Sequence, residues 1–82
     1  MMPYVVSYRC DTDDLHLELM SMKQLADLIG MADFNECVDF HVWRLVHGQL
    51  QPLRIQVLHK ENCVMLCDRF GNYVDDACYE AH

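Results

Sequence analysis

Apolar residues recur with a helical period in one part of the chain, Ser21 to Asp33. Met22, Leu25, Leu28, Ile29 and Ala32 fall on one stripe, and Lys23, Gln24, Asp27 and Gly30 take the other side. Ser21 with Gln24 three residues later forms a capping box, each side chain satisfying an orphan backbone N–H at a helix start. The pattern predicts a helix near residues 21–32. Gly30 is either a left-handed residue that ends it or an exposed residue in its last turn, at a cost of about 1 kcal/mol relative to alanine.

The rest of the chain has period 2. Tyr4, Val6, Tyr8 and Cys10 alternate with Val5, Ser7 and Arg9, and after the turn Asp11-Thr12-Asp13-Asp14 the leucines Leu15, Leu17 and Leu19 alternate with His16 and Glu18. These two strands form a hairpin whose leucine face is expected to join Tyr4, Val6 and Tyr8 over the helix. Val38 to His47 is the longest strand. It has Val38, Phe40, Val42 and Val46 on one face, with Trp43 and Leu45 among Asp39, His41 and His47 on the other. A two-residue turn at His47-Gly48 or Gly48-Gln49 sets Phe40 and Val42 beside Leu53, Ile55 and Val57, with Pro52 tolerated near a strand start or on an edge. Cys63 to Cys67 is a short strand, and Asp68 to Val74 reads as a hairpin with Gly71 or Asn72 left-handed. Asp75 to His82 is an acidic tail.

The order of these elements predicts a single α+β domain over residues 1–82. It is an antiparallel sheet of four to six strands, arranged as hairpin, helix and meander, with one helix on one face. The expected core is Val6, Leu17, Leu25, Leu28, Ile29, Phe40, Val42, Ile55 and Val57.

Charge narrows the function. Six Lys and Arg against thirteen Asp and Glu leave a formal charge of −7 on 82 residues, a field that repels phosphate backbones and anionic lipid heads. Direct binding of nucleic acid or membrane is therefore not expected, and no apolar run approaches the ~20 residues that cross a bilayer. An odd number of cysteines, five, and a start without the pattern of a signal peptide predict free thiols in a reducing cytoplasm.

Cys63, Cys67, Cys78 and His82 supply a complete zinc ligand set by residue type. Four residues of strand hold Cys63 and Cys67 about 13 Å apart, however, so a thiol-based metal or redox domain is the alternative and small hydrophobes in a sheet the first expectation. Asp39, His41 and His47 on one strand face could serve as a general base or a weak metal site, but read more simply as solvated strand residues. With no Gly-rich phosphate loop, Ser-His-Asp pattern or readable carboxylate pair, neither an enzyme nor a cofactor is expected.

One helix leaves the far side of the sheet bare. Trp43, Leu45, Leu50, Pro52 and Leu58 fall there, a contiguous apolar patch of the kind that marks a partner site. Around it, Asp11, Asp13, Asp14, Asp33, Glu36, Asp75, Asp76 and Glu80 would form an acidic perimeter. The expected partner is another protein with a basic surface, or a second copy in a homodimeric adaptor. In size, acidity and its outline of one helix on a sheet, the chain resembles compact phage and mobile-element proteins that inhibit host defence, some anti-CRISPR proteins among them. That resemblance of outline carries no motif and no site residue. It implies an inhibitor that occludes a nucleic-acid-binding surface in the host cytoplasm.

Overall fold

A computed structural model describes residues 3–10, 14–31 and 37–80. Its elements are β1 (Tyr4–Arg9), β2 (Leu15–Met20), α1 (Met22–Gly30), β3 (Val38–Val46), β4 (Gln49–Leu58), β5 (Cys63–Cys67) and β6 (Tyr73–Cys78). The six strands make one antiparallel sheet in the order β2-β1-β3-β4-β5-β6, and α1 packs on β6 and β5, an α+β fold. Coiling of the sheet brings distant strands together: the Tyr4 hydroxyl on β1 donates to Asp75 Oδ2 on β6 at 2.7 Å.

The helix starts where the capping box puts it. Gln24 N donates to Ser21 Oγ at 3.2 Å, and Ser21 N donates to Gln24 Oε1 at 2.8 Å. Met22, Leu25 and Ala26 are buried on its inner stripe, with Leu28 and Ile29 packed at the margin. Gly30 is the last helical residue and Met31 the cap, so neither expectation for Gly30 describes its role. A Cβ at Gly30 would lie 2.5 Å from Cγ of Tyr79. The glycine lets the Tyr79 ring lie against the helix backbone.

The core joins Met22, Leu25 and Ala26 to Tyr4, Val6 and Tyr8 of β1, Val42 of β3, Leu53 of β4 and Val64 and Leu66 of β5. Of the expected core, Val6, Leu25 and Val42 are buried, Leu28, Ile29, Phe40 and Ile55 pack against it, and Val57 is half-buried. Leu17 is a correction: it is 68% exposed. Pairing of Val6 with Glu18, Ser7 with Leu17 and Tyr8 with His16 turns Leu15, Leu17 and Leu19 to the same face as Val5, Ser7 and Arg9, away from the helix. Because the side-chain period is 2, a hairpin loop longer or shorter by one residue would have reversed that choice.

Three further expectations change. Asp39, at φ 58°, sits in a bulge where Ser7 pairs with His41 but Arg9 pairs with Val38. The extra residue moves Val38 off the face of Phe40 and Val42, and it stands 55% exposed on the opposite side. Asp75 to Cys78 is strand rather than tail, held by pairing with β5 and by a Cys63–Cys78 disulfide. The expectation of free thiols therefore fails at those two cysteines, while Cys10, Cys37 and Cys67 form no disulfide. Opposition of Cys63 and Cys78 in the ladder, with Cα atoms 4.0 Å apart, is what brings them together.

The β3–β4 turn is the two-residue loop His47-Gly48, with φ 50° and 77°, the positive values of a type I′ turn. It sets Val42 against Leu53 and Trp43 against Pro52. Pairing of β4 with β5 begins only at Arg54, so Pro52 lies where β4 has one neighbour and its missing N–H breaks no second ladder.

Candidate protein-interaction face

Register alone assembles the face opposite the helix. Leu19 of β2 pairs with Val5 of β1, Val5 with Trp43 of β3, and Trp43 with Pro52 of β4, which makes one apolar row across four strands. Leu45 and Leu50 form the next pair on one side. Leu17, Ser7 and His41 form the row on the other side, followed by Leu15, Arg9 and Val38. Leu15, Leu17, Leu19, Val38, Leu45 and Leu50 are each more than half exposed, while Trp43 is half-buried and stacks on His41 at 6.0 Å between ring centroids.

Four strands at ~4.8 Å and about six residues at ~3.3 Å span roughly 400 Å² of sheet. That is the size of the largest apolar patch on a typical monomer, which is often functional. Isolated surface leucines need no explanation; a continuous row with a tryptophan in it does.

Of the residues expected there, Trp43, Leu45, Leu50 and Pro52 are brought together. Leu58 shares the face but lies at its far end, in line with Cys63 and Cys78. Val5, Leu15, Leu17, Leu19 and Val38 were missed. Their signal was present in the leucine alternation, but the phase of β2 and the bulge in β3 decide the side, and neither is written in a local pattern. Leu50 and Pro52 also border a groove of about 340 Å³ with Phe70 and with Arg44 and Gln51, the latter two a cross-strand pair that alternates to the other face of the sheet.

The expected acidic perimeter is resolved in part. Asp14, Asp76 and Glu80 are exposed, whereas Asp11, Asp13, Asp33 and Glu36 lie outside the described residues. Asp76 accepts from the Tyr73 hydroxyl at 2.7 Å, which raises the phenol's pKa. Asp75 points to the helix side and accepts from Tyr4, whose pKa is pushed up to about 12 by burial and then by that carboxylate. Among the described residues the charged groups on the apolar face itself are Arg9 and Arg54, with Asp39 Oδ2 3.8 Å from Arg9 Nε, and Asp76, which stands opposite Met65 at the β6 end.

The zinc alternative does not assemble. Cys63 and Cys78 are bonded to each other, Cys67 is four residues along β5, and His82 lies outside the described residues. Among the described residues no three His, Cys, Asp or Glu side chains gather as metal ligands, and no helix is long and apolar enough to cross a membrane. Asp39, His41 and His47 are separated by the bulge and the turn, and His41 leans on Trp43. No protein-family model, curated protein or solved structure matches this chain.

Proposed function

We propose that this chain is a small non-catalytic interaction module that docks through its helix-free sheet face on a partner protein with a basic surface. The observation that carries the reading is the row Leu19, Val5, Trp43, Pro52, continuous across four strands, exposed at Leu19 and Pro52 and half-buried at Val5 and Trp43. Trp43 is the anchor. It is held by sheet pairing and by His41, so little side-chain freedom is lost on docking, and tryptophan is enriched among residues that dominate binding energy.

Charge supports the choice of partner. A chain at −7 is drawn toward basic surfaces, which nucleic-acid-binding enzymes present, and it competes there with the phosphate backbone. The proposed role is that of an inhibitor of the phage or mobile-element kind, acting in the cytoplasm where such enzymes work. Capture from the native host with wild-type protein and Trp43→Ala in parallel tests it. The wild type should retain a basic protein, displace its nucleic acid, and lose it on the Trp43 substitution, which costs about 2 kcal/mol or more. Equal capture by the two proteins would refute the proposal.

A further inference from the structure

The edge of the sheet carries a second, separate feature. β2 is an end strand, and its register with β1 runs unbroken from Arg9–Leu15 to Tyr4–Met20. Edge strands are usually blunted by lysine, proline or a bulge. β2 has none of these, and Glu18 is its one acidic or basic residue apart from His16. The opposite edge differs, since β6 carries Asp75 and Asp76 and is stapled to β5.

The β2 sequence is self-complementary. Leu15-His16-Leu17-Glu18-Leu19 reads the same in both directions except that His and Glu exchange. Two copies paired antiparallel about a two-fold axis through Leu17 would set Leu15 opposite Leu19 of the second copy, and His16 opposite its Glu18, twice by symmetry. The three exposed leucines of each chain would then meet on one face, and the His–Glu pairs would lie on the other.

The side chains are already positioned for this. Tyr8, beneath them on β1, stacks on His16 with ring centroids 5.0 Å apart and donates from its hydroxyl to Glu18 Oε2 at 3.2 Å. A carboxylate has acceptor positions left after one such bond. On that side a groove of about 470 Å³, lined by Glu18, Leu19, Met20, Gln24 and Leu28, separates the edge from α1 and leaves room for a second chain.

We propose that two copies of this chain pair through the β2 edges, antiparallel and centred on Leu17, into one continuous sheet of twice six strands. The two helix-free faces become one surface, with the leucine cluster at its centre and a Trp43 row on each side. This goes beyond the proposed docking and does not depend on it, because it is tested on purified protein alone.

Sedimentation equilibrium from micromolar to about 1 mM, the weak limit of specific association, reads the dimer. Glu18→Lys opposes lysine to His16, and His16→Glu opposes it to Glu18; each should weaken the dimer about tenfold or more, because two pairs are lost by symmetry. The double variant His16→Glu with Glu18→Lys restores both pairs and should recover the dimer. Leu17→Asp should abolish it while leaving the monomer's circular dichroism unchanged, since Leu17 is 68% exposed. A wild type that stays monomeric over the whole range overturns the proposal. So does a dimer that survives Leu17→Asp, or a double variant that is no tighter than either single one.

Discussion

Replacing Gly30 by alanine sets two effects of opposite sign against each other. Helix propensity alone favours alanine by about 1 kcal/mol, and an exposed glycine in the last turn would show that gain. Here the added methyl would stand 2.5 Å from Cγ of Tyr79, far inside contact distance, so the ring must leave the helix. Tyr79 cannot shift as a unit, because its backbone N–H donates to Asn62 O at 2.7 Å and extends the β5–β6 ladder. Overpacking costs about 1–3 kcal/mol, and lost burial of a half-covered ring adds to it. The net expectation is a loss of about 1–2 kcal/mol, which lowers Tm by roughly 4–16 °C in a domain of this size. Urea unfolding with the Cys63–Cys78 bond intact measures it, and the second half of a mutant cycle isolates the cause. In a Tyr79→Ala background the clash is gone, and Gly30→Ala should stabilise by up to about 1 kcal/mol. A gain in the wild-type background would refute the reasoning, for it would show that the ring does not rest on this glycine.

Leu25→Ala, at a fully buried site, should cost about 2–5 kcal/mol, while Leu17→Ala should change monomer stability by less than about 1 kcal/mol; equal losses in urea unfolding would contradict the phase of β2. Thiol titration of unfolded, unreduced protein should find three thiols and titration after reduction five, and five in both would remove the disulfide. Reduction should lower stability by up to about 3 kcal/mol, the loop-closure value for a separation of 15 residues. Tyr4 and Tyr8 have pKa values pushed from 10.0 up to about 12, Tyr4 by burial and Asp75, Tyr8 by burial and Glu18. Above pH 10 the unfolded chain gives up these protons and the folded one keeps them, so their stabilisation is complete below pH 10 and lost as pH rises through about 12. Tyr4→Phe should flatten the alkaline fall in stability, and an unchanged slope would count against the Tyr4–Asp75 bond.

Local chemistry was enough to determine part of this protein. The capping box at Ser21 and Gln24, the apolar stripe of α1, and the positive-φ pair at His47-Gly48 each act over a few residues. The turn then fixed the β3–β4 register and so placed Trp43, Leu45, Leu50 and Pro52 on one face. What the sequence left open was decided by contacts far apart in the chain. The leucines of β2 look like a core face, but strand alternation names two faces without saying which is inward, and the pairing with β1 turned them out. The bulge at Asp39 carried Val38 to the same side. Acidic residues with low strand propensity form β6 because β5 and the Cys63–Cys78 bond supply their pairing. Gly30 shows the same limit: its neighbours in sequence allow a cap or an exposed turn, and only the return of Tyr79 from the far end of the chain explains the missing side chain.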